Sequence, residues 1–219
     1  MTAPAPTRRY EVDGQAIYAR SFAIIRAEAD LASFAPEEEP IVVRMIHALG
    51  LTDLAGAVRI GPGFAPAARA ALAGGAPILC DSRMVAEGIT RRRLPAENQI
   101  MCPLSDASTA DLAHRMNTTR SAAAVELWRP HLHGAIAAIG NAPTALFHLL
   151  DLLNEPGAPR PAAIIGCPVG FVGAAESKAE LMADHPAPAL AVMGRLGGSA
   201  VTVAAINALI TGDETRWDR

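Results

Sequence analysis

The sequence predicts an α/β fold, in which a parallel sheet lies between two layers of helices. Three observations support this prediction. Short apolar runs alternate with helical stretches from residue 58 onward. Apart from Arg59 in the first, the runs are apolar at every position, which is typical of strands buried on both faces. The chain has 219 residues, 51% of them hydrophobic, which is enough for one compact domain with its own core.

Two helices are predicted before this alternation begins. Asp13 is a suitable N-cap for a first helix that extends through Phe34. A second helix carries three glutamates, residues 37–39, in its first turn, where the helix dipole favours acidic side chains. Gly50 is expected to end this helix, because glycine readily adopts the left-handed conformation of a C-cap.

The remaining elements follow from the alternation of apolar runs and amphipathic stretches. The predicted strands are residues 58–60, 78–80, 100–102, 135–139, 162–165 and 190–193. The predicted helices are residues 66–72, 82–87, 107–116, 120–128, 143–153, 174–183 and 201–210. We expect residues 10–212 to form a single domain between tails of residues 1–9 and 213–219.

Composition narrows the classes of function. The net charge of −3 argues against nucleic acid as a partner, because neutralising phosphates requires a basic excess. Residues 1–9 lack the apolar segment of a secretory signal, and no apolar run is long enough to cross a membrane. Cys80, Cys102 and Cys167 each end an apolar run, where cysteine acts as a small hydrophobe. We therefore expect free thiols and a cytoplasmic protein.

The most informative segment is residues 164–178 (IIGCPVGFVGAAESK), where a strand passes through a glycine-rich corner into a helix. Glycines such as Gly170 let the backbone approach a ligand, and the helix that follows has unpaired N–H groups at its start. A similar corner at residues 140–147 contains Asn141, and a third spans residues 195–200. At the carboxyl edge of a parallel sheet, such corners suit a carboxylate or a phosphate. The alternative is that these glycines and prolines only form turns.

The corners do not indicate a nucleotide. The sequence contains no G-x-x-x-x-G-K-[ST] motif, and residues 170–173 lack the G-x-G spacing of dinucleotide-binding loops.

His47 is the main candidate for proton chemistry. It lies near the end of the otherwise apolar second helix, and a helix C-terminus stabilises imidazolium. The alternative is an ordinary core or surface histidine. His131 and His133 alternate as neighbours in a strand would, but no third ligand stands nearby in the sequence, so a metal is not expected. The other histidines, 114, 148 and 185, are interpreted as solvated side chains.

Several arginines are candidates for carboxylate binding, because guanidinium groups bind carboxylates with two hydrogen bonds. They are Arg20, Arg91 with the next two residues, and Arg120. The alternative is that such arginines are solvated surface residues, as they usually are, and Arg92 or Arg93 can be only that. No Ser-His-Asp pattern, G-x-S-x-G motif or electropositive cysteine favours nucleophilic catalysis.

Seven short segments, in the same order over most of the chain, resemble the precorrin-8X methylmutase family of cobalamin biosynthesis. They are residues 16–22 (AIYARSF), 44–48 (RMIHA), 76–81 (APILCD), 119–123 (TRSAA), 140–146 (GNAPTAL), 164–178 and 194–200 (GRLGGSA). One departure is Arg83, where family members often carry an acid, and this leaves the local loop conformation open.

The resemblance implies a flavodoxin-like three-layer α/β/α sandwich and a homodimer with active sites at the subunit interface. It implies that precorrin-8X becomes hydrogenobyrinate when a methyl group moves from C-11 to C-12 of the corrinoid ring, without a cofactor. The family's catalytic histidine falls on His47. Substrate-binding residues are expected at Arg20, Ser21, Thr90 and Arg120, and the corners and arginine run add Arg91, Asn141 and Gly170.

The resemblance agrees with the residues, since a macrocycle fringed with carboxylates suits arginines and helix N-termini. We hypothesise that His47, as imidazolium, donates a proton or a strong hydrogen bond to a ring nitrogen. Two alternatives remain open at this stage. One is a corrinoid carrier that binds product without catalysis, and the other is a flavodoxin-like FMN protein.

Overall fold

A computed structural model describes residue 8, residues 10–184 and residues 186–210. Within these residues the α-helices are α1 Gly14–Glu28, α2 Glu39–Leu49, α3 Phe64–Ala73, α4 Arg83–Gly88, α5 Ala107–Met116, α6 Arg120–Glu126, α7 Pro143–Asn154, α8 Ala174–Asp184 and α9 Ser199–Ile210. The strands are β1 Val58–Ile60, β2 Ile78–Cys80, β3 Ile100–Met101, β4 Ile136–Ile139, β5 Ala163–Gly166 and β6 Ala189–Val192. His185, nearly all of the predicted N-terminal tail, and residues 211–219 lie outside the described residues.

The strands form one sheet in the order β1-β6-β5-β4-β2-β3. From β2 to β6 every pairing is parallel, and in chain order these strands have the 2-1-3-4-5 arrangement of flavodoxin-like sheets. The predicted α/β sandwich with a flavodoxin-like parallel sheet is therefore confirmed. The edge strand β1 departs from it, because β1 pairs with β6 in the antiparallel sense.

The sheet is covered on both faces. Alternate residues of each strand point to opposite faces, so Ile78 and Cys80 pack with α2, α3 and α9, whereas Leu79 packs with α6 and α7. Every residue of β4, β5 and β6 is buried. This double burial explains why the strands are apolar at consecutive positions.

The first two helices end for different reasons. Asp13 caps α1 by accepting hydrogen bonds from the backbone N–H groups of Gln15 and Ala16. The helix ends at Glu28, earlier than the predicted Phe34, because Ala29 is extended and Asp30 accepts a hydrogen bond from the N–H two residues later. Helix α2 ends as predicted, at Gly50, whose φ of 64° is left-handed.

Helix α9 packs closely against α2 and α4. A Cβ atom on Gly88 would lie 2.7 Å from the Cγ2 atom of Val203, so only glycine allows this approach. The Asn207 side chain then joins the two elements, because its amide donates to the Gly88 carbonyl and its oxygen accepts from the Thr90 N–H. The segment after α4 is thereby fixed beside α2 and α9.

Candidate active site

His47 lies near the C-terminus of α2 and is half-buried. Its Nδ1 atom is 2.9 Å from the hydroxyl oxygen of Ser21 on α1. Tyr18 and Phe22, one helical turn apart on α1, flank the imidazole with ring-centroid distances of 5.0 Å and 5.3 Å. The ring is therefore held on two sides by aromatic groups and oriented by one hydrogen bond.

The pKa of His47 is shifted in the opposite direction to the one expected from its position near a helix C-terminus. Burial lowers the pKa of His47 from its ordinary value, and the nearby Arg44 guanidinium lowers the pKa further. The structure thus opposes the predicted stabilisation of imidazolium by the helix C-terminus. When the ring is neutral and the Ser21 hydroxyl donates to Nδ1, the ring proton is on Nε2, from which it can donate a hydrogen bond to a ligand.

A cleft of about 300 Å³ opens beside His47. Its walls come from α1, α2, the segment after α4, and α9. The lining residues are Tyr18, Arg44, His47, Ala48, Thr90, Arg92, Arg93, Ala200, Val203, Ala204 and Asn207. Arg44 is only 9% exposed, so its charge acts at the cleft in a medium that screens it weakly. A half-buried histidine beside several guanidinium groups suits an anionic ligand that accepts a proton.

The structure brings three of the sequence-predicted residues together. His47 and Thr90 line the cleft, and Ser21 is bonded to His47. Arg20 precedes Ser21 in the chain, and Arg91 follows Thr90. Both arginines are exposed, and neither lines the cleft. Burial raises the pKa of the Cys80 thiol, and the Arg91 charge opposes that shift, so Arg91 lies near the carboxyl end of β2.

The other predicted residues belong to the carboxyl edge of the sheet. Arg120 is the first residue of α6 and Asn141 lies between β4 and α7, and both are exposed. The hydroxyls of Thr119 and Thr144 are 2.8 Å apart and connect the starts of these two helices. Gly170 lies in the corner after β5. The structure does not place these three residues in the His47 cleft.

The predicted role of the corner at residues 140–147 needs correction. Asp81, at the end of β2, is 1% exposed, and its carboxylate accepts hydrogen bonds from the N–H groups of Gly140, Asn141 and Ala142. Burial raises the pKa of Asp81, and these three donors oppose the shift. The N–H groups that the sequence suggested for a ligand are occupied by a carboxylate of the protein itself.

The corners after β5 and β6 are also joined to each other. The Gly170 N–H donates to the Arg195 carbonyl, and the Gly198 N–H donates to the Cys167 carbonyl. These backbone donors are therefore used within the protein. Phe171, 82% exposed, remains available beside the Arg195 guanidinium, which lies 5.1 Å from its ring centroid.

Sequence reasoning missed three residues of the cleft region. Tyr18 and Arg44 lie within segments that carried the family resemblance, but neither was given a role. Asn207 had a usable signal, since it is a polar residue in the middle of the apolar helix α9. The arginine run gave a clearer signal, although Arg92 and Arg93, rather than Arg91, line the cleft.

The other histidines that the structure describes are not among the residues that line the cleft. His148 is bonded to Glu126 at 2.7 Å and is half-buried, not solvated as expected. His131 and His133 are exposed and lie before β4, not in a strand. Among the described residues, no group of three His, Cys, Asp or Glu side chains could hold a metal ion. None of the helices described is both long and apolar enough to span a membrane.

Comparisons with known proteins agree on one family. The family model described as precorrin-8X methylmutase (CbiC) matches residues 16–212. The precorrin-8X methylmutase of Pseudomonas aeruginosa is 57% identical over 206 residues, which cover 94% of this chain and 99% of the relative. The cobalt-precorrin-8 methylmutase of Priestia megaterium is 39% identical over 199 residues, covering 90% of this chain and 88% of the relative.

A solved structure agrees with the sequence relatives. The precorrin-8X methylmutase of Thermus thermophilus has 40% sequence identity and a TM-score of 0.82. The match covers 90% of this chain and 95% of that one. The chain belongs to the precorrin-8X methylmutase family of cobalamin-biosynthesis isomerases.

Proposed function

We propose that this protein converts precorrin-8X to hydrogenobyrinate by moving a methyl group from C-11 to C-12 of the corrinoid ring. The observation that carries the proposal, beyond family membership, is His47. This histidine is hydrogen-bonded to Ser21 at a cleft that Arg44, Arg92 and Arg93 also line. The cleft thus combines a group that can move a proton with groups that bind carboxylates.

The substrate carboxylates bind the arginines of the cleft first. Arg44 is the most buried of them, so a carboxylate there forms an ion pair that solvent screens weakly. The cleft volume of about 300 Å³ is at the lower end of the range for drug-sized ligands, roughly 300–1,000 Å³. The macrocycle therefore extends beyond the cleft, toward Arg20, Arg91, Arg120, Asn141 and Gly170 at its rim and at the sheet edge.

In the proposed reaction His47 acts as the proton donor. The imidazolium form of His47 transfers its Nε2 proton to a ring nitrogen of ring C, while Nδ1 keeps its hydrogen bond with Ser21. The positive charge on the macrocycle draws electron density from the migrating centre, so the bond from the methyl group to C-11 breaks as the bond to C-12 forms. The proton then returns to His47. No atom is gained or lost, and the proposed reaction uses no cofactor.

Substrate binding prepares this proton transfer. Arg44 lowers the pKa of His47 in the free protein, and a carboxylate bound to Arg44 offsets that charge. In our proposal this ion pair outweighs the further burial of the ring by the macrocycle, so the pKa of His47 rises when the substrate is bound. An imidazolium enclosed by Tyr18, Phe22 and the macrocycle interacts more strongly with the corrinoid ring than an imidazolium in water would.

We further propose that the protein is a cytoplasmic homodimer. Apolar side chains are exposed on α1 and around the end of α2, next to the cleft: Ile17, Ile24, Leu49 and Leu51 are 37–45% exposed. A second copy that covers these residues would complete a site for the whole macrocycle. The free cysteines, of which Cys80 and Cys167 are buried, suit a reducing compartment.

The test is multiple-turnover conversion of precorrin-8X, followed by the visible spectrum, in the wild type and His47→Ala. Loss of a general acid should lower kcat by about 100- to 10,000-fold. His114→Ala, at an exposed position on α5, is the control and should behave as the wild type.

Conversion by His47→Ala at the wild-type rate would refute the assignment of the proton donor. If the wild type produced no rearranged product and changed the spectrum at most once per site, the protein would be a carrier rather than an enzyme. A yellow protein on purification would indicate FMN.

A further inference from the structure

Lys178 is the only lysine among the 19 basic residues of the chain, and the other 18 are arginines. It lies on α8 and is 0% exposed. Lysine is rarely buried completely, because removing its ammonium from water is costly unless hydrogen bonds replace the water. Its position therefore calls for a structural or functional explanation.

The Lys178 amine joins the corner after β5 to the corner after β6. Its Nζ atom donates to the Pro168 carbonyl at 2.9 Å and to the Leu196 carbonyl at 2.6 Å. In the part of the chain that the structure describes, no carboxylate affects its pKa. Burial lowers that pKa, and the Cys167 thiol opposes the shift. Both the charged and the neutral amine have enough protons for these two bonds.

The two corners also touch along their backbones. A Cβ atom on Gly197 would lie 2.8 Å from the Pro168 carbonyl oxygen, so a side chain at residue 197 would force them apart. Hydrogen bonds from Gly170 to Arg195 and from Gly198 to Cys167 flank the lysine on either side. Without the amine, the buried Pro168 carbonyl and the partly buried Leu196 carbonyl would lose their donor at the centre of this contact.

The joined corners present an exposed surface to solvent. Val169, Phe171, Val172 and Leu196 are 42–88% exposed, and Arg195 lies over the Phe171 ring. Apolar side chains beside a guanidinium suit a ligand with an apolar ring system and peripheral carboxylates. All of these side chains belong to the two corners that the Lys178 amine joins.

We propose that Lys178 is a positioning residue for ligand binding: by joining the two corners, it holds Gly170, Phe171 and Arg195 in the arrangement that contacts the corrinoid. This inference rests on the proposed function for the identity of the ligand. A compact ammonium on a long apolar stem suits the role, because it reaches carbonyls that point toward it from two separate turns.

The experiment compares Lys178→Met with the wild type in amide hydrogen exchange and in the affinity for hydrogenobyrinate. Methionine has a similar shape and no donor. We expect exchange at the Gly170 and Gly198 amides to become at least about tenfold faster while the central strands stay protected. The Kd for hydrogenobyrinate and the KM for precorrin-8X should rise about tenfold, with kcat within about threefold of the wild type.

Ser177→Ala is the matched control. Ser177 is also 0% exposed on α8, but its hydroxyl donates to the Ala174 carbonyl within the same helix. Its loss should leave exchange in the corners and the Kd unchanged. Lys178→Gln, which keeps a shorter donor, gives a second variant if Lys178→Met does not fold, and its effects should be intermediate.

Unchanged exchange at Gly170 and Gly198 would overturn the proposal, and so would faster exchange with an unchanged Kd. The binding measurement requires no turnover. If the wild type bound hydrogenobyrinate but did not convert precorrin-8X, the proposed function would be refuted. The effect of Lys178→Met on the Kd could still be measured. A wild type that does not bind hydrogenobyrinate would overturn both.

Discussion

The His47 cleft and the carboxyl edge of the sheet use charged groups in opposite ways. At the sheet edge, Asp81 is bonded to three backbone N–H groups and Lys178 to two backbone carbonyls. Those charges stabilise the protein's own loops. In the cleft, Arg44 affects the pKa of His47 and both side chains line an open space. These charges face a volume that a ligand can enter.

Charged residues that bind the protein's own backbone and charged residues that face a ligand cleft look alike in a sequence, and the structure distinguishes them. A doubly wound sheet leaves a crevice at its switch point, between β2 and β4 in this protein, and many proteins of this fold bind ligands there. In this chain Asp81 occupies the donors at that crevice. In our proposal the proton chemistry lies instead on α2, a helix that precedes the parallel sheet in the chain.

The first prediction tests whether the cleft is functional. Arg44→Met should raise KM by roughly 10- to 100-fold, because a substrate carboxylate loses a buried ion-pair partner. It should also shift the pH profile. Loss of the Arg44 charge raises the pKa of His47 toward its ordinary value of 6.5. In our proposal the imidazolium is the active form, so kcat/KM should fall as pH rises through this pKa. That fall should move to higher pH in the variant.

Wild-type kinetics provide an internal comparison for the same prediction. The pH at which kcat/KM falls reports the pKa of His47 in the free protein and should lie below 6.5. The pH at which kcat falls reports the pKa of His47 in the complex and should be higher. Arg115→Met, at an exposed position on α5, is the control. An unchanged KM together with an unshifted profile would remove Arg44 from the site.

The second prediction tests whether the Asp81 contacts are structural. Asp81→Asn replaces one acceptor oxygen with an amide donor that faces backbone N–H groups. We expect the free energy of unfolding to fall by about 1–3 kcal/mol, while kcat changes by less than about threefold. Denaturant unfolding and steady-state kinetics measure the two effects. Asp151→Asn, exposed on α7, should show neither.

A large loss of kcat in Asp81→Asn at unchanged stability would contradict the comparison. It would mean that Asp81 takes part in the reaction and does not only hold the corner of residues 140–142.

The fold was predictable because its signals are local. Consecutive apolar positions indicated the buried strands, and Gly50 indicated the end of α2. The antiparallel edge strand β1 was not predictable from pattern, since a short strand looks the same in either direction. Asp30 ended α1 early through a turn that competes with the helix.

The site was predictable only in part, because it depends on contacts between distant segments. His47 was a candidate from its helix position and from the family resemblance, and Ser21 from the resemblance alone. Their hydrogen bond joins two helices whose packing the sequence does not state. The glycine corners were visible as corners. The sequence did not show that Asp81 and Lys178 bind the backbone N–H and carbonyl groups of these corners. Asp81, for example, is 59 residues from Gly140 in the chain.

The smallest predicted effect concerns Ser21, whose hydroxyl orients His47 without contacting the reacting atoms in our proposal. Ser21→Ala removes one hydrogen bond, worth about 1 kcal/mol, so kcat should fall about three- to tenfold. The aromatic contacts of Tyr18 and Phe22 should keep the ring in place. Nitrogen NMR of His47 at a pH above its pKa should show a larger fraction of the tautomer protonated on Nδ1, and Ser21→Thr, which keeps the hydroxyl, should restore both properties. If Ser21→Ala lowered kcat while the tautomer ratio stayed the same, the hydroxyl would act on the substrate directly, and the cleft would contain a second functional group.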